Sequence, residues 1–103
     1  MGNLTDIKIK KLRKKAKQYR NPDGLGLFLT VLPSGTKTWQ YRYTEFDKTK
    51  SSNYREQIYS IGTYPLISLS EARTIHASLR AKVKSGVNIQ QEKKVEKYKT
   101  KKS

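Results

Sequence analysis

The sequence predicts an α+β domain: a three-stranded antiparallel β-sheet packed on one face by a C-terminal α-helix, with a short N-terminal helix or basic arm ahead of it. Three observations lead there. The run Lys37 to Phe46 (KTWQYRYTEF) alternates between aromatic and polar side chains, the period of a half-buried strand. Shorter strand-like runs flank it, Leu27 to Leu32 before and Gln57 to Gly62 after, separated by turn residues. Ser68 to Gly86 then carries a helix start, an apolar stripe of helical period and a glycine stop.

A chain of 103 residues suits one small domain with a single core. It contains no cysteine, which excludes zinc–thiolate clusters, thiol catalysis and disulfides. No apolar run approaches the roughly 18 residues that span a bilayer, and the N-terminal stretch lacks the apolar centre of a signal peptide. A soluble cytoplasmic protein is the expectation. Charge is the dominant signal: 23 Lys and Arg against 8 Asp and Glu give +15, which points to a polyanionic partner. Residues 1–20 carry a net +7, residues 92–103 a net +4, and the much longer middle only +4, so the ends are the most basic parts. Neither end has the apolar face or lipidation signal that would direct it to a membrane.

Leu4 to Lys15 predicts a short helix, with Thr5 as N-cap, Asp6 in the first turn, and Leu4, Ile9 and Leu12 as its apolar residues. So thin a stripe has to be stabilised by docking. The alternative is a flexible basic arm that follows phosphates or enters a minor groove. Asn21-Pro22-Asp23-Gly24 predicts a turn. The glycines at 24 and 26 do not make a phosphate loop, because a strand follows them rather than a helix.

In the first strand, Leu27, Leu29 and Val31 share a face with the aromatics Trp39, Tyr41 and Tyr43 of the second, leaving Phe28, Thr30 and Leu32 on the opposite side. Pro33-Ser34-Gly35 closes the hairpin between them, with Gly35 left-handed. Asp47 to Arg55 lacks periodicity and reads as a basic loop, whose lysines, Tyr54 and Arg55 lie within reach of a phosphate backbone. In the third strand Tyr59 and Ile61 face inwards, and Ile58 and Ser60 outwards. A three-stranded meander needs a cover, and the helix provides it. Ser68 and Glu71 have capping-box spacing, and Ala72, Ile75, His76, Leu79 and Val83 form the packing stripe. The lone His76 reads as a packing residue, since a metal site needs several donors and a base needs an oriented partner. Val87 to Ile89 extend the packing; beyond them the composition is that of a linker. The organisation is therefore residues 1–20 as a basic arm with a short helix, 21–91 as sheet plus helix (the whole unit about 4–91), and 92–103 as a basic linker or disordered tail. No constellation for covalent or acid–base catalysis, no metal ligand set and no cofactor motif is present, so this chain is not expected to be an enzyme by itself.

The ordered series DGLGL (Asp23 to Leu27), PSG (Pro33 to Gly35), WQYRY (Trp39 to Tyr43), IGTYP (Ile61 to Pro65) and SLSEAR (Ser68 to Arg73), closed by Gly86, resembles the N-terminal arm-type DNA-binding domain of phage and integrative-element tyrosine recombinases, the P4-like integrases in particular. The resemblance covers about residues 4–90. It implies a sheet that enters the major groove of arm-type sites, in a DNA-associated protein of a bacterial host. The core-binding and catalytic domains that carry recombination would follow such a module. Sister recombinase subunits or an accessory excision factor are implied as further partners, with the isolated domain monomeric.

Carried onto this sequence, the resemblance implies an outward sheet face holding Thr30, Gln40, Arg42, Thr44 and Ser60, with Lys37, Lys48, Lys50 and Arg55 at its edges. Arg42 would read guanine, Gln40 adenine, and the lysines phosphate. Basic residues common early in the family's third strand are replaced here by Glu56, Gln57 and Ile58. Two other functions fit the residues. Small size, basic ends and many tyrosines suit an RNA-binding protein of ribosomal type. An outward Phe28 and Leu32 suit a protein-interaction domain with merely electrostatic DNA affinity.

Overall fold

A computed structural model describes residues 3–46, 49 and 51–92. The elements run α1 (Asp6–Lys11), β1 (Tyr19–Gly24), β2 (Leu27–Val31), β3 (Lys37–Phe46), β4 (Tyr54–Tyr64) and α2 (Leu69–Lys84). The four strands form one antiparallel sheet in sequence order, with α2 packed across β3 and β4. The α+β class and the meander are as expected, but the sheet has four strands where the sequence suggests three.

The additional strand is β1. Its Asn-Pro-Asp-Gly run reads as a turn by composition, yet Tyr19 to Pro22 pair with Val31 to Phe28 before a register shift at Gly24. Proline is tolerated because β1 lies at the sheet edge, where a missing N–H breaks no ladder. The turn itself falls later: Gly24, Leu25 and Gly26 all have positive φ. Gly26 is also a close approach, since a Cβ there would lie 2.4 Å from the Arg42 carbonyl oxygen. The polar loop is likewise shorter than expected, for Tyr54 and Arg55 already belong to β4. One extra residue, Ile61, sits in β4 between Ser60 opposite Gln40 and Gly62 opposite Trp39.

Both helices start as their sequences dictate. The Thr5 side chain accepts from the Lys8 amide, and Ile9 of α1 is completely buried. At α2 the Ser68 hydroxyl accepts from the Glu71 amide, while the Glu71 carboxylate accepts from the Ser68 amide. That helix ends in a left-handed Gly86: the Gly86 amide donates to Val83 and the Val87 amide to Lys82, which satisfies the last carbonyls.

Trp39, fully buried, anchors the first half of the core with Leu4, Ile9, Leu27, Leu29, Leu69 and Ala72, and its indole N–H donates to the Ile67 carbonyl at 2.8 Å. Tyr41, Tyr43, Leu79 and Ile89 form the second half, so packing continues past Gly86 as the sequence suggests. A polar junction fastens these parts. Asp23, 3% exposed, accepts from the Leu4 amide at 2.9 Å and from Arg73 Nε and Nη2 at 2.9 and 3.0 Å; Arg73 Nη2 also donates to the Leu4 carbonyl at 2.9 Å. Beside it His76 is buried against the edge of Tyr41, and its Nε2 donates to the Leu25 carbonyl at 3.0 Å.

Replacing Asp23 by Ala strands the Leu4 amide and leaves Arg73 unpaired. We expect a loss of about 2–3 kcal/mol in urea unfolding, below the range for a wholly buried pair because the Arg73 side chain is 41% exposed. A midpoint unchanged from the parent would refute the junction's role.

Stability should also fall on acidification, in two stages. Burial pushes the His76 imidazole below its ordinary value, against the Leu25 hydrogen bond and Asp23, with Arg80 adding to the fall. The unfolded chain therefore takes up a proton first, and stability, complete above the ordinary imidazole range, declines as pH drops through it. At Asp23 burial acts upwards but is outweighed by the Arg73 and Leu4 hydrogen bonds and the charge of Arg73, which hold the carboxyl below the usual carboxylate range. That contribution is complete above the ordinary carboxylate value and is lost as pH falls further. Melting temperature measured against pH should show both declines, and His76→Gln should remove only the one nearer neutrality.

Candidate nucleic-acid interface

Alternation along β3 divides the sheet into two unlike faces. Trp39, Tyr41 and Tyr43 turn towards α2 and are buried, as the sequence predicts. The opposite side of β3 presents Thr38, Gln40, Arg42 and Thr44. Cross-strand pairing sets Thr30 beside Thr38, Phe28 and Ser60 on either side of Gln40, Ile58 beside Arg42 and Glu56 beside Thr44. From β1, Arg20 and Pro22 join this face opposite Thr30 and Phe28. On this face Arg42, Thr44 and Ser60 are exposed and Gln40 half-buried, whereas Thr30 is only 3% exposed and so supports Gln40 instead of meeting a partner itself.

The centre of the face is a hydrogen-bonded row. Thr30 Oγ1 donates to Gln40 Oε1 at 2.7 Å, and Gln40 Nε2 donates to Ser60 Oγ at 3.4 Å. These bonds fix the Gln40 amide plane, while its second N–H retains donor capacity. Arg42 lies one residue pair further along, its Nε 3.9 Å from Glu56 Oε2; with side chains 50% and 61% exposed, this is a weak, solvent-screened pair.

Of the predicted site residues, the structure therefore brings Thr30, Gln40, Arg42, Thr44 and Ser60 onto one face. It does not bring Lys37 and Arg55 there. Lys37 shares the parity of Trp39 and points to the helix side, where its ammonium donates to the Ile9 carbonyl at 2.8 Å and closes α1. Arg55 pairs with Glu45 on that same side at 3.1 Å. Lys48 and Lys50 lie outside the described residues, as does the basic tail after Glu92.

Phe28 is outward in direction but not in exposure. Only 5% of it is accessible, because Pro22 pairs beside it and the Arg20 guanidinium lies 4.8 Å from its ring centroid. The apolar patch expected from Phe28 and Leu32 is thus corrected to a cation stacked on a buried ring, with Leu32 half-buried. Arg20 is the surface residue that sequence reasoning misses. The signal for it was Tyr-Arg-Asn-Pro-Asp, in which Arg20 alternates with Tyr19 and Asn21, masked by the turn-forming Asn-Pro-Asp-Gly.

Among the described residues there is no group of three or more His, Cys, Asp or Glu able to hold a metal, and no helix long and apolar enough to cross a membrane. Two shallow clefts, of about 400 and 430 Å³, are lined by residues that include Tyr43, Tyr54, Val83 and Asn88 in one and Tyr41, Ala77, Arg80 and Lys84 in the other.

A family model described as "Arm DNA-binding domain" matches residues 4–96. The chain is 38% identical over 96 residues to the prophage integrase IntZ of Escherichia coli, covering 91% of this chain and 22% of that protein. It is 37% identical over 91 residues to the integrase of Shigella phage Sf6, covering 88% and 22% of the two chains. Its identity to the integrase of Enterobacteria phage P4 is 26% over 96 residues, covering 90% and 21%. The chain thus spans about a fifth of the length of these relatives.

Proposed function

The chain belongs to the arm DNA-binding domain family, and from that premise we propose that it binds double-stranded DNA sequence-specifically, its uncovered sheet face entering the major groove. It acts as the arm-site module of a longer site-specific recombinase, whose chemistry resides in other domains. Sister subunits and an accessory excision factor are the further partners this reading admits.

The observation that carries it is the Thr30–Gln40–Ser60 row with Arg42 beside it, held on a sheet whose other face is locked to α2. Base edges are read by donors and acceptors in fixed geometry, and a major groove admits β-strands as well as helices. A side chain on a rigid strand loses less entropy on contact than one on a loop, which favours discrimination over mere attraction. Against the ribosomal RNA-binding alternative stands the burial of the central sheet aromatics among the described residues: Trp39, Tyr41 and Tyr43 face α2 and Phe28 is covered, so none of these four offers a free ring for stacking bases.

The test starts by selecting duplexes from a randomised library with the parent chain and comparing the enriched sequence with a scrambled one at fixed salt. Arg42→Ala should cost about 1–3 kcal/mol on the selected duplex and much less on the scrambled one. Equal losses on both would remove base reading by Arg42. Failure to enrich any sequence, or tighter binding to structured RNA in competition, would overturn the function itself.

A further inference from the structure

The sheet is too wide for the groove it is proposed to enter, and the excess assigns a separate task to β1. Four strands leave three gaps of about 4.8 Å, so the outer strand axes stand about 14 Å apart before side chains are added. A B-form major groove is about 12 Å wide. One edge strand must therefore ride over the groove wall, which is phosphate.

Charge identifies which edge. The outward side of β4 offers Glu56, Ile58 and Ser60, with no cation. The outward side of β1 offers Arg20, and of the basic residues that precede β1, two pack close to this end of the sheet without sharing its outward face. Lys15 Nζ lies 4.4 Å from the centroid of the Tyr19 ring, and the Lys14 side chain lies beside Gly35 at the β2–β3 hairpin. On the outward face a phosphate chain would meet the Arg20 cation along β1 and the Glu56 carboxylate along β4.

Accepting the duplex-binding reading above, we infer that Arg20 is a phosphate-contacting residue: held against Phe28, its guanidinium grips the DNA backbone at the groove wall, beside the part of the face that carries Gln40 and Arg42. The stacking matters physically. The ring contact restrains the guanidinium on the outward face, and among the described residues no carboxylate pairs with it. Arg20 thus confers affinity without itself reading sequence.

Arg20→Gln removes the charge but keeps methylene cover over Phe28. With the duplex selected by the parent chain and its scrambled counterpart, binding should weaken on both by a similar factor, about three- to tenfold, and the log–log salt slope should drop by about 0.9, one phosphate contact. The base preference found on repeating the selection should be unchanged. Arg20→Lys should keep the slope, which separates charge from ring cover if Arg20→Gln melts below the parent. An unchanged slope for Arg20→Gln, or an altered preference at any base position, overturns the assignment. Neither result touches duplex binding by the parent, so the two readings fail separately.

Discussion

A single buried carboxylate determines which way this domain faces. Asp23 takes an amide from the N-terminal segment and a guanidinium from α2, so the strand that carries it, the segment before α1 and the helix meet at one point. Burying a carboxylate is costly unless charge and hydrogen bonds compensate it, and here Arg73 provides both. Next to this junction His76 holds the Leu25 carbonyl, and the Gly26 carbonyl accepts from the Arg42 amide. The β1–β2 turn is thereby pinned between helix and sheet on the covered side. The reverse of the sheet is left open as a consequence, and the face available to a partner is set by a contact made on the other side of it.

Most of this was legible from residue order. Strict alternation gave β3 to the residue, helix capping gave both ends of α2, and Ser-Gly at the hairpin gave the left-handed Gly35. β1 was not legible, because Asn, Pro, Asp and Gly favour turns individually and only the pairing with β2 overrides them. That one omission hid Arg20 and made Phe28 look exposed. Lys37 and Arg55 are a different case. Their parity with Trp39 and Tyr43 places them on the helix side, so alternation already contained the answer that their charge obscured. The outward group of Thr30, Gln40, Arg42, Thr44 and Ser60 follows from the same alternation. The hydrogen bonds that fix Gln40 depend on registers no sequence displays.

The residues that reveal the family are mostly those that build the scaffold. Asp23 and Gly26 in the DGLGL run form the junction and the close approach to β3. Gly62 in IGTYP leaves room for Ile67, since a Cβ there would lie 2.3 Å from that side chain. Ser68, Glu71 and Arg73 in SLSEAR cap α2 and pair with Asp23. Trp39 fills the core. Membership in the family is therefore a statement about a fold able to present a sheet, while the side chains presented on it decide what is read.

Scaffold and binding surface are nonetheless coupled. The short α1 has one fully buried residue and is too short to persist alone, so its position depends on Leu4, Ile9 and Lys37 holding it to the body. The basic segment between α1 and β1 is consequently anchored at both ends, by the Asp23 junction before α1 and by strand pairing after it. Tethering restricts a run of like charges, which alone would sample many arrangements and attract any polyanion, to the neighbourhood of Tyr19 and the β2–β3 hairpin, where Lys15 and Lys14 are held. Net charge favours polyanions in general; the buried ion pair helps determine where on the folded surface part of that charge is held.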